Sequence, residues 1–168
     1  MIKVTVKDEA LRKAASEGMD EFVDVFVKAI YGTIGGTLTA ESMAEMNADQ
    51  VTLLAYIMLR DEMMDGGMVQ LIHNGYGAFI FNNPFAKAVK QWGIKDLSRL
   101  IYDAYPLYRQ HHEDIERECS DEEFAALYEQ FPKFDDIDDE FVENEEKWTA
   151  QVAEYIDNNI EKFCIIEE

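Results

Sequence analysis

Residues 47–67 read NADQVTLLAYIMLRDEMMDGG. Asn47 and Gln50 stand at the spacing of a capping box, in which two side chains at a helix start satisfy each other's backbone N–H groups. Val51, Leu54, Ala55, Met58 and Leu59 then recur at intervals of three and four, the period of one buried helix face. Gly66–Gly67 stops the pattern, because glycine weakens a helix and turns readily. This stretch is a helix, and the sequence on either side repeats the logic. Another helix is expected over Met19–Ile30. Asn83 then Pro84 reads as an N-cap followed by proline at the first helical position, with Gly93 closing that short helix. A longer helix follows through Leu97, Leu100, Ile101 and Tyr105, with Pro106 expected to bend or break it. Ser120 with Glu123 is a second capping box ahead of Phe124, Leu127 and Tyr128, and the acids of its first turn suit the helix dipole. Ile2–Val6 and Phe163–Ile166 read as short strands pairing the chain ends. The expected fold is mainly α: one compact multi-helix domain over residues 1–168, with a short two-stranded ribbon joining the ends.

At 168 residues and 48% hydrophobic content the chain can build a real core, which excludes wholesale disorder. Its formal net charge is −20. Residues 1–102 carry thirteen acids and ten bases, net −3, whereas residues 103–168 carry twenty-two acids and five bases, net −17. The acidic part is interleaved with aromatic and aliphatic residues, so it reads as folded and acidic on its outside. Such a chain is repelled by nucleic acid and by anionic membranes. Cations and basic proteins are its natural partners. Cys119 and Cys164 lack CxxC spacing, and neither a disulfide framework nor a zinc site is expected. MIKVTVKDEALRK has no apolar region before its first acids, so no secretory signal is expected. Residues 66–86 are free of Asp, Glu, Lys and Arg, but Gln70, His73, Asn74, Asn82, Asn83 and Pro84 are too polar a set for a membrane span. The expectation is a soluble cytoplasmic protein.

Templates for catalysis fail in turn. Gly75 and Gly77 begin a GxG, but Ile80 occupies the third glycine position of a dinucleotide fingerprint. Neither a GK[ST] phosphate loop nor a GxSxG elbow occurs. His111 and His112 are adjacent, so on a helix they point about 100° apart and read as a solvated surface pair rather than a metal site. Asp135–Glu140, DDIDDE, resembles a calcium loop with Glu140 where glycine is required, leaving weak divalent binding open. Thirty-five acids always include close pairs, but a paired-carboxylate hydrolase needs a cleft as well. No catalytic residue, metal site or cofactor is assigned.

The last helix separates its residues by chemistry. At about 100° per residue, Phe141, Trp148, Val152, Tyr155, Ile156 and Phe163 fall in an arc of roughly 100°, an apolar stripe for the core. Glu143, Glu146, Glu154, Asp157 and Glu161 fall opposite, within roughly 80°, along a line about 27 Å long. One strand of DNA presents a phosphate about every 3.4 Å, so five carboxylates are too sparse to imitate it alone. Glu116, Asp121, Glu122, Asp135, Asp136, Asp138 and Asp139 would supply a second row. A homodimer would double the ridge.

The stretch Met63–Gly77, MMDGGMVQLIHNGYG, carries Gly66, Gly67, Gln70, Asn74 and Gly77. This pattern resembles the signature of a family of small acidic bacterial proteins, the DNA-mimic proteins, otherwise filed as a domain of unknown function. Asp65 replaces an expected Asn, and Met68 and Leu71 replace aromatics. The similarity continues through FAKAVKQWGIKDLSRLIYDAYPLY, IDDEFVENEEKW and AEYIDNNIEKF, about two-thirds of the chain. The resemblance implies a helical domain whose acidic surface imitates duplex DNA and occupies the DNA-binding face of a transcription factor. The signature residues themselves read as scaffold: the glycines let one helix end and the next begin at close range, and Gln70 and Asn74 satisfy buried backbone groups. The leading expectation is an acidic binding protein, not an enzyme, acting in transcription regulation on a basic DNA-binding protein. It binds neither nucleic acid nor membrane directly. An acidic helical interaction module for other basic proteins is the alternative, and a metal-dependent enzyme is a more distant one.

Overall fold

The Asn47–Gln50 box forms as read: the Gln50 backbone N–H donates to Asn47 Oδ1 at 2.8 Å and the Asn47 N–H donates to Gln50 Oε1 at 3.1 Å. In the computed structural model, which describes all of residues 1–168, the helix it starts is Ala48–Asp65. The chain is mainly α-helical, with one short sheet. In chain order the elements are β1 (Thr5–Lys7), α1 (Asp8–Glu17), α2 (Met19–Thr33), α3 (Ala40–Glu45) and α4 (Ala48–Asp65). There follow α5 (Gly67–His73), α6 (Gly77–Phe81), α7 (Phe85–Gln91) and α8 (Lys95–Glu116). The remainder comprises α9 (Asp121–Gln130), α10 (Asp135–Asn158) and β2 (Ile165–Glu167), with 3-10 turns at Pro132–Phe134 and Ile160–Lys162. Two compact units result, one of residues 1–54 with 147–168 and one of residues 55–146.

In the first unit the chain ends pair, as expected, and the ribbon is parallel: Thr5 faces Ile165 and Val6 faces Ile166. A parallel pair cannot be joined by a tight hairpin, and here the whole intervening chain is the crossover. Phe22, Phe26, Val27 and Ile30 of α2 are buried with Val4 and Val6, and Phe26 meets Phe163 edge to face at 6.2 Å. The capping box also holds the chain's end. Asn47 Nδ2 donates to the Lys162 carbonyl at 2.7 Å, and Gln50 Nε2 donates to that of Phe163 at 3.0 Å.

In the second unit α8 is central. Leu97, Leu100, Ile101, Ala104, Tyr108 and Ile115 are buried along one of its faces, and Ser98 Oγ donates to the Ala86 carbonyl of α7 at 2.7 Å. Pro106 does not break it: α8 continues for ten residues beyond. Pro106 and Tyr102 are both exposed, so water can satisfy the carbonyl that proline cannot bond. Around α7, Asn83 is not the N-cap expected of it. Pro84 takes that position, and Asn83 Nδ2 instead donates to the Phe79 carbonyl at 2.9 Å, closing α6. Gly93 ends α7 as read, with φ +90°. The Ser120–Glu123 box forms at the start of α9.

Candidate partner-binding surface

Eleven of the twelve carboxylates singled out from the sequence are exposed. In the second unit, Glu116 ends α8, Asp121 and Glu122 lie in the first turn of α9, and Asp135, Asp136, Asp139, Glu143 and Glu146 lie on α10. Glu154 and Asp157, in the first unit, stand one helical turn apart on the last part of α10. Glu161 does not belong to that helix. The sequence carries α10 on to Phe163, but the structure ends it at Asn158, where Asn159 Nδ2 donates back to the Tyr155 carbonyl at 2.8 Å. The chain then tightens into a 3-10 turn that delivers Phe163 to the core. Glu143 keeps its place, because α10 already starts at Asp135.

The basic residues seen in ion pairs are engaged with other acids. Arg12 pairs with Asp8 at 2.7 Å, Lys28 with Asp24 at 2.7 Å, Arg99 with Glu140 at 2.9 Å and Arg117 with Asp114 at 3.1 Å. Among the twelve, Glu116 alone has such a neighbour, His112 Nδ1 at 3.1 Å. Of the remaining exposed carboxylates of the set, Glu161 feels the charge of the adjacent Lys162, and the others face solvent without an ion pair.

Asp138 is the exception to exposure. It is half-buried, and its Oδ1 accepts from the Met68 backbone N–H at 2.8 Å, at the start of α5. Burial pushes its carboxyl up to about 6; the Met68 bond opposes the rise and the charges of Asp135 and Asp139 add to it. Gly67, with φ +80°, makes this approach possible: a Cβ there would run into the Asp138 carboxylate. A Cβ at Gly66 would likewise strike the Gln70 side chain, and one at Gly77 the Tyr108 ring. The absence of a Cβ at Gly66 and Gly67 lets one helix end and the next start at close range.

Gln70 and Asn74 do not bond backbone groups. Gln70 Nε2 donates to Glu62 Oε2 at 2.8 Å and to Asp65 Oδ2 at 2.9 Å, and Asn74 Nδ2 donates to Glu62 Oε2 at 3.1 Å. Two amides thus hold two carboxylates at the α4–α5 junction. Tyr128 completes it, its hydroxyl donating to the Gly66 carbonyl at 2.8 Å. Burial, and then the charges of Asp138, Asp65 and Glu62, raise the phenol above its ordinary range. Glu62 and Tyr128 were not legible as partners of this motif. Glu62 precedes Gln70 by two helical turns across a glycine break, and Tyr128 is sixty-two residues from Gly66.

Two other sequence readings change. His111 and His112 are half-buried rather than a solvated pair: His111 packs on Phe131 at 4.9 Å and His112 stacks on Tyr108 at 4.8 Å. Asp135–Glu140 forms the opening of α10, not a calcium-type loop, and no group of three or more His, Cys, Asp or Glu side chains could hold a metal ion. No helix is long and apolar enough to cross a membrane.

Residues 44–159, more than half of the chain, match the family described as DMP19-like protein. The chain belongs to the DMP19-like family. A relative, the DNA mimic protein DMP19 of Neisseria meningitidis serogroup B (strain ATCC BAA-335 / MC58), is 37% identical over 127 residues, 75% of this chain and 77% of that protein. The DMP19-like span runs from the end of α3 to the residue after α10. It contains the glycine–amide junction and every singled-out carboxylate except Glu161, and it leaves α1 and α2 outside.

Proposed function

We propose that this DMP19-like chain is a DNA mimic whose exposed carboxylates occupy the DNA-binding face of a basic partner such as a transcription factor. One observation carries the reading. Basic side chains of this chain pair with Asp8, Asp24, Asp114 and Glu140, while Asp121, Glu122, Asp135, Asp136, Asp139, Glu143, Glu146, Glu154 and Asp157 are left exposed without one. Solubility alone would be served by mixed signs. Unpaired carboxylates keep their full attraction for the Lys and Arg residues with which a DNA-binding protein grips phosphate. Asp138, turned inward onto Met68, belongs to the support of this surface. The family membership and the relative named a DNA mimic support the same reading.

The test is capture of partners from the native cell by the full chain, followed by challenge with duplex DNA. Partners of a mimic are released by DNA, and their affinity falls steeply with salt. The triple variant Glu146→Lys, Glu154→Lys, Asp157→Lys changes the net charge by six, from −20 to −14. Its affinity should fall far more than that of Glu9→Lys, Glu41→Lys, Asp103→Lys, which changes the charge equally at other exposed acids. Equal losses, or partners that DNA does not displace, would point to a general acidic interaction module and end the claim of mimicry.

A further inference from the structure

In the first unit, the joint between α1 and α2 and the last turns of α10 border a shallow, open groove of about 410 Å³. Ala15, Met19, Phe22 and Ala153 give it an apolar lining, and Gly18, with φ +152°, makes the joint. Glu154 and Asp157 also line it, exposed and without an ion pair. A second acidic depression, with Asp114, Glu118 and Glu123 beside Leu127 and Phe131, already holds Arg117 in an ion pair with Asp114; here both carboxylates are unpaired beside apolar surface.

We propose that this groove receives an arginine side chain of the basic partner, its aliphatic stem on Met19 and Ala153 and its guanidinium on Glu154 and Asp157. The inference rests on the DNA-mimic reading and names what the mimic adds to it. Residues three apart on a helix hold their Cβ atoms about 5–6 Å apart, so both carboxylates can approach one planar, five-donor head. Arginine is the weakly hydrated cation that tolerates such partial burial, and its methylenes bury favourably on apolar surface. A DNA phosphate offers the head a partner and the stem nothing. The groove therefore distinguishes this chain from DNA and makes part of the binding insensitive to salt. Ala15–Phe22 lies outside the matched DMP19-like span of residues 44–159, so one wall of the groove is built from sequence that the family pattern does not specify.

The experiment uses the full chain with 13C-labelled methionine methyls, at physiological salt, and two short helical peptides of equal charge. One carries arginines; the other carries 2-amino-3-guanidinopropionic acid in their place, the same guanidinium on a single methylene. The arginine peptide should bind about fivefold tighter and shift the Met19 methyl resonance saturably. Ala153→Leu fills the groove without altering charge and should erase that advantage while leaving the short-stemmed peptide's affinity unchanged. Met19→Ser, a smaller change at a half-buried position, should do the same if Ala153→Leu perturbs the fold by circular dichroism. Glu154→Gln with Asp157→Asn should weaken both peptides. Equal affinities for the two peptides, or an unmoved Met19 resonance, would overturn the groove while leaving electrostatic mimicry standing. Loss of mimicry in the triple-reversal experiment, with the stem advantage intact, would remove the reading on which it rests and leave an arginine-binding groove.

Discussion

Glu62, Asp65 and Asp138 differ in no chemical respect from Glu146, Glu154 and Asp157, yet the two sets are used in opposite ways. The first set accepts hydrogen bonds from Gln70, Asn74 and the Met68 backbone around the α4–α5 junction. The second is exposed, without hydrogen-bond or ion-pair partners, on the outer side of α10. A carboxylate whose oxygens accept hydrogen bonds from the fold helps hold the chain together, as Asp65 does even though it is exposed. One left in water contributes little to stability and keeps its attraction for a cation. A single acidic composition thus serves as both glue and surface.

That contrast can be broken at four points. The largest effect is expected at Gly67. Gly67→Ala places a Cβ against the Asp138 carboxylate at a φ of +80°, and should cost about 2–4 kcal/mol in urea unfolding from backbone strain and overpacking together. A cost close to zero would mean the α4–α5 junction is looser than its hydrogen bonds imply. Gln70→Ala removes a donor shared by two carboxylates, and a loss of about 1–2 kcal/mol is expected. Partner binding by the folded fraction should be unchanged. Lost binding at undiminished stability would make Gln70 part of the contact surface.

Asp138 gives a pH-dependent effect. Its carboxyl titrates near 6 in the folded chain, above the ordinary 3.8, so the folded state binds this proton more tightly than the unfolded one. The stability it contributes is fully present below the ordinary value and is lost as pH rises through about 6. Asp138→Asn, whose amide oxygen can still accept from Met68, should lack this component. Relative to the parent it should therefore be most favourable near pH 7, with the gap narrowing as the solution is acidified. A gap independent of pH would show that Asp138 does not titrate in this range. The smallest change is expected from the triple reversal at Glu146, Glu154 and Asp157, within about 0.5 kcal/mol per position. A thermal unfolding midpoint far below the parent's would place these side chains in the glue rather than on the surface.

What the sequence by itself determined lies within a helical turn or two. Both capping boxes, the stop at Gly66–Gly67, the terminating Gly93 and the apolar stripe of α10 depend on residues three or four apart, whose geometry is set once a helix forms. The chain ends were legible as strands from two short apolar runs, Ile2–Val6 and Phe163–Ile166, of which Val4, Val6, Phe163 and Cys164 are buried while Ile165 and Ile166 stay exposed. Pro106 and Asn83 were misread because each has a local preference that its surroundings override: water at an exposed helix face in one case, and the free end of α6 in the other. Which carboxylates turn inward was decided only by tertiary structure. Asp138 and Asp139 are neighbours of identical type, and nothing within reach of either along the chain separates them. Asp138 is drawn in by the backbone N–H of Met68, seventy residues away, past a glycine without a side chain to obstruct it. The energy of that contact exists only after packing has brought the two segments together.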